Sequence, residues 1–154
     1  MVQAIHYAFS QSFRVSARKA FEWCTDYTPE DHALMKEENA VREVQRISDD
    51  TVILTDKYFD EGKSSTKQKI VCLYPARFTW TSTHLAGPNK YSQFLYEISP
   101  QGSQRSRLRF TALHVDYQAK EIEETVQLCK LLLKLDSETW KHLAKLMEND
   151  FKRK

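Results

Sequence analysis

His114 and Asp116 stand two residues apart in SRLRFTALHVDY, and His84 closes the stretch RFTWTSTH. In an extended chain alternate side chains share a face, so His114 and Asp116 converge on one volume. An imidazole titrates near neutrality and suits acid-base work on an enolisable substrate. The same pair also fits a polar ligand contact, or a strand end in solvent. The sequence leaves these alternatives open. It assigns no catalytic residue, because no string of residues matches a catalytic signature.

The residues around these groups are aromatic. Phe78, Trp80, Ser82 and His84 fall on one face of their segment, opposite Arg77, Thr79, Thr81 and Thr83. Leu108, Phe110, Ala112 and His114 oppose Arg107, Arg109 and Thr111, and Phe94, Tyr96 and Ile98 form a third inward set. Packing in a solid core accounts for much of this. Tyr and Trp, however, carry polar ends that need partners and suit a partly hydrated pocket. Candidate lining residues are therefore Phe78, Trp80, His84, Tyr96, Phe110, His114 and Asp116 from the sheet. Phe21, Trp23 and Tyr27 come from an early helix, and Trp140, Leu143 and Met147 from a late one.

These residues must be positioned by seven strands and three helices. Ile5, Tyr7 and Phe9 alternate with polar or small residues, predicting a first strand that runs to Phe13. Ser16 offers an N-cap, and Ala17, Ala20, Phe21 and Cys24 follow at helical spacing. Pro29 ends that helix and begins a second short one reaching Met35. Asp26 and Asp31 read as turn and cap residues. Strands are predicted near 41–48, 51–59 and 64–74, then over ARFTWTSTH, YSQFLYEIS and SRLRFTALHVDY, with turns at SDD, DEGK, LAGPNK and PQGSQR. Short connections imply an antiparallel meander.

From Glu121 the period becomes helical. Ile122, Val126, Cys129, Leu132, Leu135, Leu143 and Met147 trace one face, with acidic residues in the first turn and Lys152, Arg153 and Lys154 at the end. A helix over 121–152 would be roughly 48 Å long. A chain of this size folds to about 38 Å across, so such a helix would overhang, and it bends near Asp136 and Ser137 or has less regular first turns. The unbroken stripe favours a continuous or gently bent helix, with Ser137 as the N-cap of a separate helix the alternative.

The 154 residues fit one domain, 1–154, with 41% hydrophobic and 29% charged residues excluding disorder. A net charge of +2 from well-mixed signs gives no nucleic-acid footprint. KSSTKQK, the densest basic run, reads as a solvated strand edge. Cys24, Cys72 and Cys129 are odd in number and widely spaced, which argues for reduced thiols and against a disulfide framework or zinc site. No cofactor and no metal are called for. The N-terminus lacks signal-peptide character, and no apolar run could span a membrane, so a cytoplasmic location is expected. His6, His32 and His142 have no complementary pattern and read as surface residues.

The element order, with SARKAFEWCTDYTPED after the first strand and ETWKHLAKLMENDFKRK at the end, resembles the helix-grip superfamily. That group comprises START-like, polyketide-cyclase-like and pollen-allergen-like proteins and is known as SRPBCC. The resemblance implies an α+β fold: a curved antiparallel sheet of about seven strands wrapped around a long C-terminal helix, with two short helices plugging one end. It also implies a cavity between sheet and helix. The chain departs from pollen-allergen-like members in lacking a glycine-rich loop; Gly62, Gly87 and Gly102 each fall in a turn. Three functions follow as alternatives. The first is binding or transport of a hydrophobic small molecule such as a lipid, isoprenoid or aromatic metabolite. The second is cyclase or aromatase chemistry in the same pocket, and the third is a protein-binding module.

Overall fold

A computed structural model describes residues 2–35, 37–118 and 121–153. The chain runs β1 (Gln3–Phe13), α1 (Ala17–Thr25), α2 (Asp31–Leu34), β2 (Ala40–Ser48), β3 (Thr51–Asp60), β4 (Lys63–Tyr74), β5 (Thr79–Ala86), β6 (Gln93–Pro100), β7 (Ser106–Asp116) and α3 (Ile122–Lys152). All strand pairs are antiparallel, in the order β1-β7-β6-β5-β4-β3-β2.

This order explains the early helices. β1 and β2 are consecutive in the chain but lie on opposite edges of the sheet. Six interstrand gaps of about 4.8 Å separate them if the sheet is laid flat. The intervening segment must cross that width, and it does so as α1 and α2. Ser16 caps α1 by accepting from the Lys19 amide at 3.4 Å, and Ala17, Ala20, Phe21 and Thr25 form the buried face. Thr28 donates both its amide and its hydroxyl to Asp31 at 3.1 Å, which fixes the turn into α2.

Inward residues alternate along each strand: Ile5 and Tyr7, Val52 and Leu54, Val71 and Leu73, Trp80 and Ser82, Leu108 and Phe110 are buried. α3 packs chiefly against β1 and delivers Trp140, Ala144 and Met147 to the core. It is one continuous helix. Ser137 does not cap a second helix; its hydroxyl donates to the Lys134 carbonyl at 3.0 Å. A capping box between Glu121 and Glu124 starts the helix.

Several expectations are corrected. The apolar stripe of α3 is buried over only part of its length. Ile122 is 81% exposed and Val126 also faces outward, because 31 residues make a helix of about 46 Å whose first turns overhang the sheet; Leu135, in mid-helix, is exposed as well. KSSTKQK is a solvated edge only in its first part: Lys63–Thr66 are exposed and pair with β3 alone, whereas β5 joins β4 from Gln68 on, and Lys67 and Lys69 line the cavity on the concave face. His32 is buried, not superficial. The expected strand start at ARF is a 3-10 turn, Pro75–Arg77, closed by Phe78 in the left-handed region at φ 48°.

Candidate functional site

Between the concave face of the sheet, α3 and the α1–α2 crossing lies a cavity of about 630 Å³. That is the size of a small-molecule site. Trp80 and Tyr96 are cross-strand partners whose rings stack at 4.7 Å with 2° between planes. Phe110 meets Tyr96 edge-on at 5.2 Å, Phe94 lies 5.9 Å from Phe110, and Trp140 descends from α3 to 5.9 Å from Tyr96. Contacts of this geometry lock the rings and make a rigid apolar wall. From α1, Trp23 reaches the cavity while its indole N–H donates to Asp150 at 2.9 Å, tying the crossing segment to the end of α3. Burial pushes the Tyr27 and Tyr96 phenols up, so they stay neutral.

The candidate lining residues divide. Trp23, Tyr27, Trp80, His84, Tyr96, Phe110, His114, Trp140 and Leu143 stand on the cavity wall. Phe21, Phe78, Asp116 and Met147 do not. Phe21 lies behind the wall, edge-on to Trp80 at 5.8 Å. The left-handed backbone at Phe78 turns its ring toward Phe21, 6.1 Å away. Met147 is fully buried in the core. Asp116 ends β7 beyond the wall, although His114 remains on it.

Titratable groups gather in two places. On the β1 and α3 side, the Tyr7 hydroxyl donates to Asp136 Oδ2. Burial raises the Asp136 carboxyl, against the hydrogen bond from Tyr7 and the charge of His114. Burial lowers His114, against Asp116 and Asp136. A phenol, a carboxyl and an imidazole thus share one apolar hollow, with His84 on the same wall. The His84 Nδ1 lies 2.9 Å from Asn89 Oδ1; an amide oxygen only accepts, so Nδ1 carries the proton and Nε2 keeps its lone pair. Burial, reinforced by Lys69 and Lys67 against the Asn89 bond, lowers this imidazole to about 4.

The second gathering is ionic. Asp56 on β3 is wholly buried, and its cross-strand partner Arg42 grips it with Nε at 2.8 Å and Nη2 at 3.0 Å. Lys69 Nζ stands 3.4 Å from Oδ2 and His32 Nε2 stands 3.1 Å from Oδ1. Arg42 also binds Asp31 at 2.8 Å, and His32 Nδ1 lies 2.6 Å from Glu37. The cluster pins α2 and the segment after it to the sheet. Burial would raise the Asp56 carboxyl, but Arg42, Lys69 and His32 outweigh it and hold it at about 2.

Tyr7, Arg42, Lys67, Lys69, His32 and Asp136 all line the cavity, and sequence patterning did not select them. Asp136 had a signal: it sits in phase with Leu132, Trp140 and Leu143, a lone carboxyl on an apolar stripe. Arg42 had none, since its partner is set by register across two strands. Among the described residues no group of three or more His, Cys, Asp or Glu is placed to hold a metal, and all three cysteines are free thiols. None of the described helices is long and apolar enough to cross a membrane.

No protein-family model matches the sequence, nor does any curated protein. Solved structures do match the fold. The Zhui aromatase/cyclase from a Streptomyces species superposes with a TM-score of 0.74 at 13% identity, covering 96% of this chain and 94% of that one. A START superfamily protein from Mycobacterium smegmatis gives 0.65 at 16% identity, covering 98% and 99%. Norcoclaurine synthase from Thalictrum flavum, a point mutant bound to a transition-state analogue, gives 0.65 at 12%, covering 97% and 98%. The chain has the helix-grip α+β fold that these structures share.

Proposed function

We propose that this chain binds a hydrophobic small molecule in the cavity between sheet and α3, as a carrier or sensor. The observation that carries this reading is the rigid aromatic wall around about 630 Å³ of space. A protein using these rings only for stability would interdigitate them at crystal-like density and leave no such hollow. The test is a titration with N-phenyl-1-naphthylamine, a neutral dye that fluoresces in apolar surroundings. Wild-type protein binds it, and Leu143→Trp, which fills the cavity from α3, weakens binding at least about tenfold while the protein stays folded. Unchanged affinity in that variant refutes the assignment. Native mass spectrometry of gently purified protein then identifies the natural occupant as an apolar adduct.

One observation favours a second reading, an enzyme of the cyclase or aromatase type: Tyr7, Asp136, His114 and His84 face the same hollow. A carboxyl raised by burial and an imidazole with a free Nε2 are suited to moving protons on an enolisable chain. Turnover of a poly-β-keto thioester by wild type, lost in Asp136→Asn with dye affinity intact, would establish catalysis. Absence of turnover leaves the carrier.

A further inference from the structure

We propose that the ligand is a monoanionic amphiphile, its carboxylate seated against Lys67 and its apolar body lying along the aromatic wall. The inference rests on the cavity being a ligand site and names the class of ligand.

Arg42 and Lys69 are both paired with Asp56, and Arg42 with Asp31 as well. His32 is held between Glu37 and Asp56 and adds no free positive charge. The remaining acidic lining groups are placed elsewhere: Asp136 accepts from Tyr7, Asp150 accepts from Trp23, and Asp26 is exposed at the C-cap of α1. Lys67 is the exception. It stands opposite Asp56 in the β3–β4 register, yet no described carboxylate forms an ion pair with it. Its ammonium sits 5.3 Å over the Tyr58 ring, a contact that leaves the charge in place.

Lys67 is also held in position. A Cβ at Gly87 would come within 3.0 Å of Lys67 Cγ and 3.2 Å of the Thr66 carbonyl, and Gly87 adopts φ +115°. The β5–β6 loop therefore closes onto the lysine stem only because residue 87 has no side chain. Beside this corner is His84, the inward neighbour of Lys69 in the β4–β5 register, with Nε2 available. A fixed cation at the polar end of an apolar hollow is half of a charge-assisted bond. One uncompensated cation calls for one negative charge; a phosphate dianion would bring a second with no described partner.

The test uses N-phenyl-1-naphthylamine as reporter and three competitors that share a ten-carbon chain: decanoate, 1-decanol and decyl phosphate. In wild type, decanoate displaces the dye at least as well as decanol. In Lys67→Met, decanoate weakens on the order of tenfold while decanol and the dye itself bind as before. Lys67→Arg keeps the preference for decanoate. The proposal is overturned if decanoate fails to compete in wild type, or if Lys67→Met moves decanoate and decanol alike or moves neither. Decyl phosphate competing about tenfold better than decanoate would overturn the monoanion assignment. Failure of the dye to bind wild type would sink the cavity reading itself, a separate result.

Discussion

Replacing Asp56 with Asn tests whether the crossing segment is held to the sheet by charge. The carboxylate receives Arg42 through two bonds of 2.8 and 3.0 Å, His32 at 3.1 Å and Lys69 at 3.4 Å. Asparagine keeps the volume and removes the charge, leaving Lys69 without its ion pair and Arg42 with Asp31 alone; breaking such a cluster costs about 3–5 kcal/mol. The pH dependence divides that cost. A carboxyl held at about 2 against an ordinary 3.8 contributes about 2 kcal/mol. Because the folded value is depressed, this contribution is fully present above the ordinary value and is lost as pH falls toward 2. Urea unfolding followed by tryptophan fluorescence should show a constant gap between wild type and Asp56→Asn from pH 7 to 5, and a gap smaller by about 1 kcal/mol at pH 3. A double variant that also carries Arg42→Met should be less destabilised than the two single costs added together. A gap below about 1 kcal/mol at pH 7, or one that stays flat to pH 3, refutes the assignment of Asp56 as the charge that holds the cluster.

Two further outcomes test the other groups on the wall. Tyr7→Phe removes the donor to Asp136 and is expected to cost about 1–3 kcal/mol in the same unfolding assay; a neutral substitution would show that the bond contributes nothing. His84, held at about 4, should remain uncharged until well below neutrality, so its ring protons should titrate near pH 4 by NMR. The unfolded ring takes its proton near the ordinary 6.5 and the folded ring resists it, so this residue's contribution is complete above 6.5 and is lost as pH falls to about 4. A midpoint above 6 would show that the imidazole is not buried as described.

The fold was legible because its signals are local and redundant. Alternation in RFTWTSTH and SRLRFTALHVDY fixes which side chains face inward, and those faces are the ones observed for Trp80, Ser82, His84, Leu108, Phe110 and His114. The α3 stripe was legible as a helix but not as a buried length, because burial depends on where the sheet ends, and the sheet's width is a property of seven strands together. Phe78 shows the same limit at one residue. Alternation put it beside Trp80, but Pro75 opens a 3-10 turn and the left-handed backbone that closes it sends the ring to Phe21. The charged half of the site was hidden for a different reason. Lys67 and Lys69 belong to a basic run whose usual place is solvent, and only the register of β4 between β3 and β5 turns them toward Asp56 and His84. Arg42 and Asp56 become neighbours through the β2–β3 pairing, which no single-strand pattern encodes. Apolar periodicity therefore locates the hollow, while the long-range pairing of charges decides what the hollow can recognise. For that reason the competition between decanoate and decanol probes the part of the site that the amino-acid pattern concealed.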